Sequence, residues 1–384
     1  MPHRTSLQLL RRAARVQPLP PPEVRRLCAA VQDWREVLDL AGDHGLQGLL
    51  YRQCREVLRR TAALNRPFSL LRAAYYGATA TTLHLMHVLG VVAAAAAEAK
   101  CSFLPIQGAL LQALYYPDPG LRPMEDLDLL VLPGSYQRFR RVLRSCGFQR
   151  LAPDSATWVR GAAVIDLHRH VVNVERLAAR GRLWRFSTMG LWQRARAMPG
   201  YPASVRFLCP TDTILALTAH TLKHGFKRLI WVADLRLVLE RHLGGSEPEI
   251  TWEEVLGEAR AVGGERAFCY LLQTLRLGLG ERLPAVPQSW LDRQAPFDGV
   301  ERRFLLGVAR LQPLPRLGDV MLAYGSPSRR QRLRLLVEAC FPHPSALAAN
   351  YPWLPRPLFA LAYLLRMLRL SGFAIDALWR LHRR

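Results

Sequence analysis

Between Leu121 and Leu132 the chain reads LRPMEDLDLLVL, and no other stretch constrains the fold so tightly. A short run of branched apolar residues such as Leu127, Leu129, Leu130 and Val131 predicts a buried strand. Strand side chains alternate between faces, so Asp126 and Asp128 point the same way. Two ionised carboxylates side by side on a core strand repel each other and are costly to desolvate; a cation between them removes both penalties. The run therefore predicts a magnesium site at the rim of a sheet. Glu125 faces away and is expected to be solvated or ion-paired.

The rest of that site is expected nearby. In FLPIQGALLQALYYP, residues Phe103, Leu104 and Ile106 read as a strand, Gly108 breaks it, and Ala109 to Tyr116 continues at helical spacing. A strand, a glycine and a helix start form a phosphate cradle, because glycine lets backbone approach and the helix N-terminus favours an anion. Arg122 is a candidate phosphate cation. In AAVIDLHRHVV, residues Val164, Asp166 and His168 share one face of a second strand, with His170 expected at the surface. Asp166 is then a third oxygen ligand. Three carboxylates with room left for phosphate and water suit Mg²⁺.

The order Gly108, Arg122-Pro123, Glu125-Asp126-Leu127-Asp128-Leu129-Leu130-Val131 and Ile165-Asp166-Leu167-His168 resembles the nucleotidyltransferases of the DNA polymerase beta superfamily. It is most similar to the uncharacterised nucleotidyltransferase family found in bacterial biosynthetic gene clusters. Members carry a lysine-glycine turn, a DxDLLV strand after Arg-Pro, a later DLH strand, and a helical region with a histidine pair and Trp-x-x-Asp. The last part here is AHTLKHGFKRLIWVADLRLVLE, with His220, His224, Trp231 and Asp234. The resemblance spans roughly residues 35 to 300. It departs at Gln107, where the family has lysine, and at Ala109, where the superfamily has serine.

The resemblance implies an α+β fold: a small mixed-sheet palm flanked by N-terminal and C-terminal helical regions. It implies transfer of an NMP group from an NTP, with ATP the expected nucleotide, to an unidentified acceptor (small molecule or protein). Asp126, Asp128 and Asp166 would hold two Mg²⁺ ions, and Gln107, Gly108 and Arg122 would cradle the phosphates. His168, His220, His224 and Asp234 are candidate substrate contacts. Losing the lysine removes a point charge from the phosphate site. The alternatives are therefore a degenerate nucleotidyltransferase-fold scaffold or a basic protein that binds membranes or nucleic acid.

Charge bears on the last alternative. Lys and Arg number 53 against 30 Asp and Glu, a net +23, and the only lysines are Lys100, Lys223 and Lys227. A basic surface favours polyanions or anionic lipid, but the chain has no aromatic-interleaved RNA-binding motif, helix-turn-helix or zinc-finger spacing, so a sequence-specific nucleic-acid reader is not expected. The seven cysteines (28, 54, 101, 146, 209, 269 and 340) are scattered singly and read as thiols of a reducing cytoplasm. The first residues lack a signal-peptide core. No uninterrupted apolar stretch reaches the length of about 18 residues that marks a membrane span.

Along the chain, residues 1–22 read as a flexible leader, 23–99 as a helical region, 100–175 as the palm, 176–300 as a helical acceptor-binding region and 301–384 as a basic C-terminal region. Within the palm, Tyr136 to Ser145 predicts a basic amphipathic helix capped by Cys146-Gly147-Phe148. At the C-terminus, Arg366, Arg369, Asp376, Arg380 and Arg383 fall on one helical stripe amid apolar residues. That helix either caps the catalytic lobes or touches a membrane surface. The expected location is cytoplasmic, with peripheral contact at the inner membrane surface as the alternative.

Overall fold

A computed structural model describes residues 2–312 apart from 153–154 and 175–176, and beyond them 318–326, 328–342, 344, 355 and 358–382. Five helices lead the chain: α1 (Arg4–Ala13), α2 (Pro21–Ala29), α3 (Trp34–Asp43), α4 (Gln47–Arg60) and α5 (Asn65–Glu98). Residues 1–22 were expected to be a flexible leader, and here the structure differs. Leu9, Leu10 and Ala13 of α1 are fully buried. Ser6, Leu9, Leu10 and Ala13 repeat at 3.6-residue spacing, and each buried leucine contributes about 1.5–3 kcal/mol. Gln53 of α4 then ties down the proline segment: its amide donates to Arg15 O and Gln17 O and accepts from Leu19 N.

Helix α5 packs along α4. The segment Ala62–Glu98 is long and apolar enough to cross a membrane by length and composition alone, at mean hydropathy 1.6, with 39% of that window buried in the protein. Interspersed small polar residues such as Thr79, Thr81 and Thr82 broke the uninterrupted apolar count at the sequence level.

The sheet follows. Its strands are β1 (Leu104–Ile106), β2 (Leu127–Leu130), β3 (Gln149–Arg150), β4 (Thr157–Arg160) and β5 (Ala163–His168), in spatial order β1-β2-β5-β4-β3. Strands β2 and β5 are parallel, and the other pairs are antiparallel. Helix α6 (Gln107–Leu114) follows β1, and α7 (Tyr136–Ser145) follows β2. Gly147, at φ 81°, closes α7 in the left-handed conformation that ends many helices. Leu127, Leu129, Ile165 and Leu167 have relative exposures of 2% or less, which leaves the aspartates that alternate with them on the opposite face.

The remaining elements are helical: α8 (Arg180–Leu183), α9 (Thr188–Arg194), α10 (Pro210–Lys223), α11 (Leu229–Leu243), α12 (Trp252–Ala261), α13 (Glu265–Thr274), α14 (Ala285–Asp292), α15 (Gly299–Ala309), α16 (Gly318–Gly325), α17 (Arg329–Cys340) and α18 (Phe359–His382). His44 braces three regions. Its Nδ1 and carbonyl accept from Leu229 N and Ile230 N at the start of α11, and its Nε2 meets Leu311 O. Burial lowers its pKa, which keeps the ring neutral for both roles. One hydrophobic core runs from Leu9 to Leu335 across all the segment boundaries drawn from the sequence. The fold is α+β, a five-stranded mixed sheet within a largely helical body.

Candidate active site

The parallel pairing of β2 and β5 builds the site. Its register sets Asp128 beside Asp166 and Leu130 beside His168. Side chains at paired positions share a face, so the two carboxylates sit next to each other and His168 is one step along. Ligand atoms of Asp128, Asp166 and His168 all lie within 4.8 Å of one another, close enough to hold one metal ion.

Asp126 lies just before β2 and outside this tight cluster, a difference from the expected Asp126–Asp128–Asp166 grouping. It remains in the same electrostatic field. Its carboxyl is pushed up to about 7, by burial first and then by the charges of Asp128, Asp166 and Glu125. A carboxyl forced toward its neutral form by its neighbours lacks a countercharge, and a divalent cation supplies one. The oxygen donors fit such an ion.

His168 is already occupied. Its Nε2 lies 2.6 Å from Asp128 Oδ1 and its Nδ1 2.5 Å from Asn173 Oδ1. The ring bridges Asp128 and Asn173, and its contact with Asp128 holds that carboxylate in place. Burial alone would lower the pKa of His168, but the hydrogen bond and charge of Asp128 outweigh it and raise it overall. Thr157 does the equivalent for Asp166, donating to Oδ1 at 2.6 Å from the neighbouring β4. Thr157 and Asn173 were missed at the sequence level. Thr157 is recognisable only once the β4–β5 register is known, and Asn173 sits in a loop at φ 53°, where nothing in the local spacing marks it.

The phosphate side is built differently from expectation. Gln107 adopts φ 53°, a left-handed turn uncommon for a residue with a Cβ, and Gly108 follows. A Cβ on Gly108 would stand 2.9 Å from Arg122 Nη1, so the glycine lets the guanidinium close over the turn. Arg122 also donates from Nε to both oxygens of Asp234, at 3.0 and 3.1 Å, and Tyr116 OH donates to Asp234 at 2.7 Å. Asp234 is 1% exposed. It was expected among the substrate contacts, but burial and hydrogen bonds from two donors tie it into joining α11 to the palm. Glu125 is exposed and pairs with Arg228, in line with its expected solvated or ion-paired role.

Helices α10 and α11 bring the other candidates over the site. The rings of His220, His224 and Trp231 form a triangle with centroid separations of 4.7, 5.2 and 5.2 Å. His220 is held well below its ordinary pKa, by burial and then by the positive charges of Lys223, His224, Arg122 and His168. That field puts the ring within electrostatic reach of Arg122 and His168. Its Nδ1 is buried with no hydrogen-bond partner among the described residues. His170 is not plain surface: its ring accepts from Val172 N and meets Phe186 O at 3.0 Å.

Residues 30–280 match the model of a family described as uncharacterised nucleotidyltransferase. The chain belongs to that family. No curated protein and no solved structure matches it. The matched span contains the whole sheet, the carboxylate cluster and helices α10 and α11. The family match and a cluster of two aspartates and a histidine that could hold a metal ion therefore coincide in one place.

Proposed function

We propose that the protein transfers an NMP group from an NTP, with ATP the expected donor, to a small-molecule or protein acceptor, releasing pyrophosphate. The observation that carries this reading is Asp128 beside Asp166 on paired strands, in a carboxylate field that pushes Asp126 to about 7. Asp126, Asp128 and Asp166 would hold magnesium, which would neutralise the triphosphate and stabilise the attacking and leaving oxygens. In the reaction an acceptor oxygen bonds to the α-phosphorus, and the α–β bridging bond breaks toward pyrophosphate.

The chain's own residues orient that exchange. His168 and Thr157 fix the carboxylates Asp128 and Asp166. Gly108 keeps the turn open to backbone approach, and the Arg122 guanidinium over it stands in for the family's lysine. Lys223, within electrostatic reach of His168 and His220, adds a second cation. His220, His224 and Trp231 offer ring faces, and the unpaired His220 Nδ1 is an acceptor for a donor group on the substrate.

One observation favours a second reading. Gln107 replaces lysine, and it lines a narrow cleft with Ile106, Leu110, Val171 and Leu208 that is apolar apart from Gln107 and Thr213. A non-catalytic nucleotide-binding scaffold is the matching alternative. Incubation with each α-labelled NTP and a metabolite extract separates the two. Mg²⁺-dependent appearance of α-label in a new product, absent with Asp128→Ala, supports transfer. Binding of the nucleotide without label transfer supports the scaffold, and movement of a γ-label instead would contradict both.

A further inference from the structure

We infer that α17 and α18 form a docking surface for an anionic lipid membrane, independent of the nucleotide chemistry. Leu333, Val337 and Phe341 form one row along α17 and its end, and Leu361, Leu364 and Leu368 form another along α18. All six are between 43% and 64% exposed. Each set repeats at helical spacing, so each is a continuous apolar stripe rather than scattered surface leucines.

The stripes stay outward because the opposite faces are already used. Leu335 and Ala362 are fully buried, and Tyr363 OH donates to Pro342 O at 2.7 Å. Arg366 donates from Nε to Ala339 O at 3.1 Å, so the arginine expected to mark a solvent-facing stripe instead anchors α18 to α17. Asp376, Arg380 and Arg383 of that expected stripe lie outside the described side chains. Exposed apolar area of this extent on packed helices is unusual for a surface facing only water.

Charge identifies the occupant. Beside the Leu333–Val337–Phe341 row, one helical position over, runs the row Arg330–Arg334. With Arg182 of α8 these two arginines line a cleft of about 190 Å³, room for a phosphate group. The acidic neighbour among the described residues is Glu338, which takes Arg334 at 3.3 Å and also accepts from Ala179 N. Among the described residues, three guanidiniums stand against one carboxylate, which leaves the cleft cationic. A second copy of a chain with net charge +23 would bring like charge onto those arginines. Apolar rows flanked by arginine are the pattern of helices that lie in the interface of an anionic bilayer.

The test uses the full chain in flotation with vesicles of phosphatidylcholine alone or mixed equally with phosphatidylglycerol. The expected result is binding to the mixed vesicles that is at least about tenfold weaker on pure phosphatidylcholine. Leu333→Asp with Leu368→Asp should reduce binding to both, and Arg330→Glu with Arg334→Glu should remove the preference for the anionic lipid. All four positions are exposed, and unchanged melting temperatures verify the fold. Inorganic phosphate should not release the protein from the mixed vesicles; complete release would make the cleft a free-anion site and overturn the proposal. Equal binding to both vesicle types, or indifference to both pairs of substitutions, would also overturn it, as would self-association that the leucine substitutions dissolve.

Discussion

Asp234 and the carboxylates of the sheet rim both act on the Arg122 guanidinium, and the protein treats them in opposite ways. On one side, Asp234 is buried to 1% exposure with an arginine and a tyrosine hydroxyl donating to it. On the other, Asp126, Asp128 and Asp166 crowd the sheet rim, with His168 and Thr157 the donors that the hydrogen bonds supply. The first arrangement is electrically closed. The second has three carboxylates and one histidine, and burial together with that crowding raises Asp126 to about 7. A balanced buried carboxylate joins elements together, whereas an unbalanced one near solvent awaits a cation.

The largest expected effect breaks the open side. Asp128→Ala removes a metal ligand and the acceptor of His168, and transfer of an α-labelled nucleotide should fall on the order of a thousandfold. Its effect on stability should be smaller than that of breaking the Arg122–Asp234 pair, because relief of repulsion at the rim offsets the lost His168 contact and an imidazole, unlike a guanidinium, can shed its proton. A large loss of stability by chemical denaturation would show that the cluster is structural.

Breaking the closed side should do the reverse. Asp234→Ala leaves Arg122 buried and unpaired and should cost about 3–5 kcal/mol in denaturant unfolding. Replacing both partners, Arg122→Met with Asp234→Leu, should recover most of that loss. If the double variant is stable but no longer binds nucleotide, Arg122 serves the phosphates as well as Asp234, which sharpens the division between the two sides.

A pH titration of the metal-free protein tests the imbalance itself. Asp126 binds its proton more tightly folded, near 7, than unfolded, near about 4. Between those values the folded state holds the extra proton, so stability should fall as pH rises from about 4 to about 7. Asp126→Asn should flatten that slope, and so should Mg²⁺. The smallest effect is Thr157→Val, which removes one hydrogen bond to Asp166: about 1 kcal/mol of stability, with Mg²⁺ affinity weakened roughly tenfold by calorimetry.

The open side was largely legible from the sequence, and the closed side was not. Alternation along LDLLV and VIDLH places the aspartates on one face with no knowledge of tertiary structure. Asp126 fell outside the tight cluster because β2 begins one residue after it, a boundary that alternation does not locate. Arg122 and Asp234 are 112 residues apart, and their pairing depends on how α11 docks on the palm. Thr157 and Asn173 depend likewise on strand register and a left-handed loop residue. Helix α1 was readable from its spacing, but the proline run after it drew the segment toward a leader.

The most direct test is a set of thermal melts with each NTP, with and without Mg²⁺, on wild type and Asp128→Ala. A nucleotide at a hundredfold its dissociation constant adds about 2.7 kcal/mol, which in a chain of this length should raise the melting temperature by roughly 3 °C. The account predicts a rise that needs both Mg²⁺ and nucleotide and disappears in Asp128→Ala. A rise of the same size in the variant, or none with any nucleotide in the wild type, would contradict a metal-nucleotide site at the paired aspartates.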